Sequence, residues 1–277
     1  MRQIIGTLVG LSLLVVGSSA GAWGLADLNK TINQTNFTLD NACSATLISL
    51  KYKAVLTNYH CIDRKITVED REEPSTDGTI KKVRREKRDD VTLAQKAYKG
   101  PEQVGAAEYL AEIVAHKKRA DLALLRLKAD SIPHTIESTL LPDGSTVVRG
   151  SRVYIVGNPQ MLDASVVEGV ISSVTRMLEV PWADGEKVPF YQFSGGVTGG
   201  NSGGALYDSE GRLIGVPAAG GREAHLGFAI TVEAIKAFLR EACYTAVWDS
   251  TAPPPEKCLA DKKAAAEKSK KGNGPSE

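Results

Sequence analysis

The stretch Thr198–Gly204 reads Thr-Gly-Gly-Asn-Ser-Gly-Gly and is the most informative part of this 277-residue sequence. Two glycines on each side of an Asn-Ser pair indicate a sharp turn that comes close to another part of the chain, because glycine accepts positive φ and has no Cβ. Such a turn can direct the amides of Gly200 and Ser202 into one small pocket, the geometry that stabilises a developing oxyanion. The Ser202 hydroxyl is therefore a candidate nucleophile.

A serine hydroxyl is a weak nucleophile by itself, so it needs a base within hydrogen-bond reach and a group that orients this base. Thr57–Cys61 (TNYHC) supplies His60 at the end of an apolar run. Ala120–Leu125 (ADLALL) supplies Asp121 at the start of a strongly apolar run. Burial there leaves the carboxylate in need of a donor, and an imidazole N–H is a suitable one.

In this order, the three strings resemble the trypsin-like serine peptidases of the chymotrypsin fold, particularly the bacterial HtrA (Deg) group. The resemblance covers roughly residues 42–242, through four further matches: Val156–Pro159 (VGNP), Glu168–Ser172 (EGVIS), Leu213–Val216 (LIGV) and Gly227–Ile230 (GFAI). It implies an all-β, chymotrypsin-like fold of two six-stranded antiparallel β-barrels with a C-terminal α-helix. His60 and Asp121 would come from the first barrel and Ser202 from the second, so the site is expected in the cleft between them.

The resemblance also implies roles for individual residues. His60 is expected to be the general base and then the general acid, Asp121 to hold its tautomer, and Ser202 to be the nucleophile. The amides of Gly200, Asn201 and Ser202 are expected to line the oxyanion hole. Side chains and amides complete this chemistry, so neither a metal nor an organic cofactor is expected.

Two departures from the family pattern limit what is carried over. Asn201 stands where digestive relatives have an Asp that receives a newly cut N-terminus, so activation by that ion pair is not expected. No PDZ-like segment follows the helix, so peptide-tail sensing and the cage assembly of many HtrA relatives are not expected either.

The primary specificity pocket is expected to be uncharged. By resemblance, it is lined by the stretch before Ser202, by Val216–Gly220 and by the strand around Gly227, which offer these residues: Gly196, Val197, Val216, Pro217, Ala218, Ala219 and Gly227. None of them could pair with Arg or Lys, so a small or medium apolar side chain is predicted at the cleavage point. His225 lies near this wall and could change the preference, although an exposed loop histidine is the simpler interpretation.

Composition indicates a chain that buries a core, and it argues against nucleic-acid binding. Hydrophobic residues make up 42% and charged residues 24% of the sequence, which are ordinary values for a globular protein. The net charge of +1 offers no global field for holding a polyanion. Twenty-six glycines and only five phenylalanines favour turn-rich β structure.

The N-terminus has the order of a secretory signal. Arg2 precedes an apolar run from Ile4 to Val16, which is followed by small residues up to Ala22. We therefore predict a signal peptide over residues 1–22, a secreted or periplasmic protein, and no stable membrane association after cleavage. A retained membrane anchor is the alternative, because such a run overlaps in length with signal anchors.

Four cysteines in an exported chain suggest two disulfides, and the sequence alone allows three connectivities. Pairing nearest neighbours would join Cys43 to Cys61 and Cys243 to Cys258. The first of these pairs matches the disulfide that brackets the histidine in extracellular trypsin-like enzymes. Metal binding is a weak alternative, because the sequence contains no Cys-x-x-Cys and its four histidines are scattered.

The chain is expected to divide into the signal, a peptidase domain over residues 23–248 and a flexible Pro- and Lys-rich tail over residues 249–277. Short β-branched runs separated by turn residues predict strands from Cys43 onward. Thr231 is expected to cap the C-terminal helix. A charged excursion over about residues 63–118 interrupts this pattern, and we expect it to be exposed, with a helix within residues 102–118.

The resulting hypothesis is an exported serine endopeptidase, a hydrolase whose partners are polypeptide substrates. An exported, catalytically silent binding module of the same fold is the alternative, docking on an acidic partner or an anionic envelope surface through Lys81–Arg88 (KKVRREKR) and the Lys-rich tail. The sequence does not indicate an oligomeric state.

Overall fold

The computed structural model describes residues 24–75, 78–99, 102–162, 164–183, 186–221 and 225–272. The expected signal peptide over residues 1–22 lies outside this part of the chain. Among the described residues, no helix combines the length and the apolar character needed to cross a membrane.

The N-terminal half contains one helix and eight strands among its described residues. They are α1 (Leu25–Thr35), β1 (Asn36–Leu39), β2 (Cys43–Ser49), β3 (Ala54–Thr57), β4 (Ile66–Pro74), β5 (Ile80–Arg88), β6 (Val91–Lys99), β7 (Glu102–Lys117) and β8 (Leu122–Leu127). Six of the strands close into an antiparallel barrel in the order β1-β2-β3-β8-β7-β6. Its interior is filled by fully buried apolar side chains such as Phe37, Leu47, Val55, Leu93 and Leu125.

The C-terminal half forms the second barrel. Its strands are β9 (Arg152–Gly157), β10 (Ser165–Glu179), β11 (Lys187–Ser194), β12 (Ala205–Asp208), β13 (Leu213–Gly220) and β14 (Leu226–Thr231). They close in the antiparallel order β10-β11-β14-β13-β12-β9 around a core that includes Phe190, Phe193 and Tyr207. The prediction of two six-stranded antiparallel barrels is confirmed.

Helix α2 (Val232–Glu241) follows the second barrel, as predicted. The Thr231 hydroxyl caps it by accepting a hydrogen bond from the amide of Ala234, at 3.3 Å. Ile235, Phe238 and Leu239 are buried against the barrel core, and this burial stabilises the helix in its position.

The prediction of a loose tail over residues 249–277 is wrong for most of the described part of this segment, because Pro255–Gly272 form helix α3. A disulfide between Cys243 and Cys258 joins α3 to the end of α2. Residues 259–269 are exposed. Ala, Lys and Glu favour helix, and the disulfide holds its first turn beside the domain.

The expected helix within residues 102–118 is also wrong, because Glu102–Lys117 form the long strand β7. This strand pairs with β6 on one side and with β8 on the other. Pairing on both sides and burial of its C-terminal half in the barrel outweigh the helix propensity of its Ala- and Glu-rich sequence.

The charged excursion predicted over residues 63–118 is exposed only in part. Its first section forms a two-stranded ribbon of β4 and β5 whose residues are mostly exposed, whereas β6 and β7 belong to the first barrel and bury Val91, Leu93, Ala111 and Ile113. The basic strand β5 runs antiparallel to the acidic strand β4, so that charged residues of opposite sign face each other across the ribbon. Ion pairs join Arg84 to Asp70 at 3.4 Å and Arg85 to Glu73 at 2.8 Å. The acidic strand therefore balances much of the basic run on which the binding-module alternative depends.

Candidate active site

Strands β3 and β8 pair in the first barrel, with Thr57 opposite Ala123, and this register brings the end of one strand to the start of the other. His60 follows β3 in a single 3₁₀ turn, Tyr59–Cys61. Asp121 directly precedes β8, in the left-handed conformation with φ 51° and ψ 40°. His60 and Asp121, which are 61 positions apart in the chain, therefore lie at the same end of the barrel.

Asp121 is completely buried, so its carboxylate must be paired. It accepts hydrogen bonds from the His60 ring Nδ1, which lies 2.8 Å from Oδ2 and 3.0 Å from Oδ1. It also accepts one from the main-chain amide of His60, at 2.9 Å. The side-chain amide of Asn58 donates to the Asp121 carbonyl at 2.9 Å. These bonds fix the carboxylate against one edge of the imidazole.

The contact to Asp121 assigns the proton of a neutral imidazole to Nδ1, which leaves the lone pair on Nε2. The His60 side chain is 34% exposed, so the ring is accessible from the surface where the two barrels meet, the proposed substrate groove. Its position and tautomer suit a general base that takes a proton from a group in the groove.

The disulfide between Cys43 and Cys61 ties the His60 turn to the start of β2. The Cys61 sulfur lies 3.8 Å from the main-chain carbonyl oxygen of Ser202. This same oxygen accepts a hydrogen bond from the amide of Ser44, at 2.8 Å. Ser202, although it belongs to the second barrel, is thereby held beside the turn that carries His60.

Cys43, His60 and Cys61 are the chemical types that bind metals, and their ligand atoms lie within 4.8 Å of one another. Both sulfurs are bonded to each other in the disulfide. They are not thiolates in this form, so this group is not suited to metal binding.

The turn around Ser202 requires glycine, as the sequence predicted. Gly200 has φ +100° and Gly203 has φ +82°. A Cβ at Gly203 would lie 2.1 Å from the carbonyl oxygen of Ser44, and a Cβ at Gly200 would lie 2.2 Å from that of Asn158. The neighbouring segments therefore approach the turn so closely that no side chain fits at position 200 or 203.

The peptide groups of this turn have fixed orientations. The Gly199 carbonyl accepts a hydrogen bond from the Gln160 amide at 2.7 Å, and the Asn201 carbonyl accepts one from the Gly204 amide at 3.0 Å. Since N–H and C=O point in opposite directions in a trans peptide, the amides of Gly200 and Ser202 face away from these partners. Within the described residues neither amide donates a hydrogen bond, so both are available to a ligand.

The amide of Asn201 is arranged differently from the expectation for a three-amide oxyanion hole. It donates to the Thr198 carbonyl at 3.1 Å, within the same turn. An amide that is used in this way is not free to stabilise an oxyanion. Of the three amides expected in the oxyanion hole, those of Gly200 and Ser202 therefore remain available.

Trp182 is a neighbour of His60 that the sequence did not predict. It lies in a 3₁₀ turn, Pro181–Ala183, between β10 and β11, and its indole stacks on the His60 ring with centroids 5.9 Å apart and planes 29° apart. An ion pair between Arg119 and Glu186 joins this part of the second barrel to the turn that precedes Asp121. A tryptophan between two strands gives no sequence signal for a contact across two barrels.

The expected specificity pocket is only partly exposed. Val216 is completely buried in the core of the second barrel, so it is not a lining residue. Pro217 is also buried, and its carbonyl accepts a hydrogen bond from the Gly203 amide at 3.1 Å. Ala218 is 6% exposed. Within the predicted segment, Ala219 and Gly220 are the residues that lie at the accessible end of β13.

Val197 narrows the space between the two walls of this pocket. A Cβ at Gly220 would lie 2.6 Å from the Val197 carbonyl oxygen, and a Cβ at Gly227 would lie 2.8 Å from a Val197 methyl group. Gly196 precedes Val197 and is half-buried. His225 is exposed at the outer end of β14, in agreement with the simpler interpretation of this residue. The walls are thus close together and uncharged.

Comparison with known proteins adds a family match to this geometry. Residues 43–216 match the family model described as a trypsin-like peptidase domain. A probable periplasmic serine endoprotease DegP-like from Marinomonas sp. (strain MWYL1) is 33% identical over 109 residues, which cover 39% of this chain and 22% of that protein. A serine protease HtrA-like from Staphylococcus aureus (strain MRSA252) is 31% identical over 139 residues, covering 47% and 18%. The chain thus spans about a fifth of the length of these curated relatives.

Two solved structures share the fold. The HtrA-type protease AlgW with a decapeptide is 24% identical, with a TM-score of 0.51 over 71% of this chain and 50% of that one. Rv3671c from M. tuberculosis H37Rv is 18% identical, with a TM-score of 0.54 over 77% of this chain and 88% of that one. These similarities support the double-barrel architecture.

Proposed function

Because this chain belongs to the trypsin-like peptidase family, we propose that it is a serine endopeptidase that uses Ser202, His60 and Asp121. The observation that carries the proposal is the buried Asp121 carboxylate, which orients the His60 ring in a turn whose Cys61 sulfur lies 3.8 Å from the Ser202 carbonyl oxygen. The names of the relatives, which are serine proteases, agree with this activity.

In the proposed reaction, Nε2 of His60 takes the proton from the Ser202 hydroxyl while Oγ attacks the carbonyl carbon of the scissile peptide. The carbonyl oxygen becomes an oxyanion, which accepts hydrogen bonds from the amides of Gly200 and Ser202. The imidazolium, stabilised by Asp121, then protonates the leaving amine as the C–N bond breaks. Water repeats these steps on the acyl-enzyme, which releases the acid and restores Ser202.

We further propose that the residue before the scissile bond carries a small or medium apolar side chain. Gly196, Val197, Ala219, Gly220 and Gly227 offer no charge with which a buried Lys, Arg, Asp or Glu could pair. Val197 also narrows the pocket, because it lies close to both Gly220 and Gly227.

The proposed location is the periplasm or the outside of the cell. The N-terminal signal pattern and the two disulfides both suit an oxidising compartment. The DegP-like relatives are named as periplasmic. The natural substrates would be polypeptides.

A mixed peptide pool, analysed by mass spectrometry after digestion, tests both proposals together. The mature wild-type protein should cleave after small apolar residues, and Ser202→Ala should not cleave. Val197→Gly should extend cleavage to larger apolar residues, whereas Val148→Gly, which removes a valine that is 57% exposed, should not. Equal cleavage by wild type and Ser202→Ala, or no cleavage by the folded wild type, would contradict the activity. An unchanged profile for Val197→Gly would contradict the pocket.

A further inference from the structure

The Ser44 hydroxyl lies at the centre of a buried hydrogen-bond cluster where the two barrels meet. Its Oγ donates to the Gly200 carbonyl at 2.7 Å. It accepts from the main-chain amide of Asn158 at 2.9 Å and from the Asn158 side-chain amide at 3.0 Å. A hydroxyl has one proton to donate and two lone pairs, so these three contacts use its full capacity and fix its orientation.

The Asn158 side chain is equally saturated. Its Nδ2 donates to the Phe37 carbonyl at 2.9 Å as well as to Ser44. Its Oδ1 accepts from the Asn36 side chain at 3.0 Å and from the Ala164 amide at 2.8 Å. Ser44 is 0% and Asn158 is 1% exposed. Because both Ser44 and Asn158 are buried and use their full hydrogen-bonding capacity, this pair of side chains is held in one arrangement.

This network ends on the peptide groups that flank Gly200. Ser44 holds the carbonyl of Gly200, and Gln160, two residues after Asn158, holds the carbonyl of Gly199. Gln160 has φ 51° and Met161 has φ 62°, which are left-handed conformations that persist only where the surroundings enforce them. With both carbonyls fixed, the Gly200 amide has one direction, away from the Gln160 amide to which the Gly199 carbonyl is bonded.

We propose that Ser44 and Asn158 are positioning residues that hold the Gly200 amide in place for the oxyanion. This inference rests on the proposed peptidase function. Neither side chain touches the reacting atoms. Without the Ser44 hydroxyl, the Gly200 carbonyl loses its buried donor, and the glycine backbone is free to rotate its peptide group. The ground-state binding surface stays intact, but transition-state stabilisation is lost.

Steady-state kinetics of Ser44→Ala, with a peptide that the wild type cleaves, test the inference. We expect kcat to fall roughly tenfold to a hundredfold, somewhat less than for deletion of an oxyanion donor, with KM changed less than about twofold. Affinity for a peptide trifluoromethyl ketone, whose adduct with Ser202 carries an oxyanion, should fall by the same factor. Ser49→Ala is the matched control. Ser49 lies on the same strand and is 3% exposed, and within the described part of the chain its hydroxyl makes one local hydrogen bond, accepted from the Tyr52 amide.

Asn158→Asp provides a second test, because it keeps the size of the side chain and removes the donor to Ser44. It should reproduce the loss in kcat, and the double variant with Ser44→Ala should lose little more than the larger single loss. Wild-type kcat and inhibitor affinity in a folded Ser44→Ala or Asn158→Asp protein would overturn the inference. A rise in KM without a fall in kcat would overturn it as well. A wild type that cleaves no peptide would instead overturn the proposed function.

Discussion

The carboxylate of Asp121 binds His60 twice, through the ring Nδ1 and through the main-chain amide of the same residue. One bond orients the imidazole, and the other fixes the backbone from which it projects. The fully buried position of Asp121 excludes water from both bonds. A single side chain thus determines the tautomer and the location of the proposed base.

Asp121→Asn should therefore lower kcat/KM by about 10⁴, because an amide NH₂ at this position favours the wrong imidazole tautomer. The fold should survive, since Asn has the same size and keeps one acceptor. The measurement is peptide hydrolysis near neutral pH, with thermal unfolding as a check on folding. A loss smaller than about tenfold would show that Asp121 does not orient a catalytic base.

The two disulfides should differ in their effect on activity. They join residues 18 and 15 positions apart, so each should contribute about 3 kcal/mol to stability by restricting the unfolded chain. Cys43–Cys61 also ties the strand of Ser44 to the turn of His60, whereas Cys243–Cys258 only anchors α3.

We thus expect the double variant Cys43→Ser/Cys61→Ser to lose activity even where circular dichroism shows it to be folded. Cys243→Ser/Cys258→Ser is its control, with a similar loss in the free energy of unfolding and near wild-type kcat. Equal activities of the two folded variants would contradict a role of the first disulfide in the site.

Trp182 should support the position of the His60 ring. A pair of stacked rings contributes about 1 kcal/mol beyond its buried area, so Trp182→Ala should lower kcat roughly fivefold to tenfold. Trp182→Phe keeps an aromatic ring and should retain most of the activity. Both variants are compared with wild type by peptide hydrolysis, and full activity of Trp182→Ala would argue against this contact.

Because Tyr191 is buried, we expect the protein to lose stability at alkaline pH. Burial, with a smaller contribution from the charge of Glu233, raises its pKa from 10.0 to about 12. The folded state then keeps the phenolic proton at pH values where the unfolded state releases it. The stabilisation is complete below pH 10 and is lost as pH rises toward 12, by about 2–3 kcal/mol in total.

Tyr191→Phe removes this titration. Between pH 10 and 12, the free energy of unfolding of the wild type should fall by about 2–3 kcal/mol more than that of the variant, in denaturant titrations at several pH values. Parallel curves for the two proteins would show that the buried phenol does not cause the decline.

Much of the architecture was predictable because local patterns and tertiary pairing agree. The apolar run of Leu122–Leu127 is a buried strand, and the glycines around Ser202 occupy a turn that excludes any Cβ. The predictions failed where pairing across the chain decides the structure. The Ala-rich β7 is a strand because β6 and β8 flank it. Helix α1 was missed because its apolar pattern is weak; among its described side chains, Leu28 and Ile32 are the ones that join the hydrophobic core.

Parts of the site were not predictable for the same reason. The stack of Trp182 on His60 joins two barrels, and no spacing in the sequence relates these residues. The use of the Asn201 amide within its own turn depends on backbone geometry, which a motif does not specify. The pocket lining was predicted to begin at Val216, three residues before the first accessible position, Ala219, because an apolar strand end resembles a pocket wall in sequence.

Covalent labelling with a fluorophosphonate, mapped by mass spectrometry on the folded, oxidised mature protein, is the most direct test of the proposed chemistry. We predict one adduct per molecule, on Ser202, with none in Ser202→Ala and a strongly reduced labelling rate in His60→Ala. A folded wild-type protein that takes up no label, or that is labelled equally well in Ser202→Ala, would contradict the account.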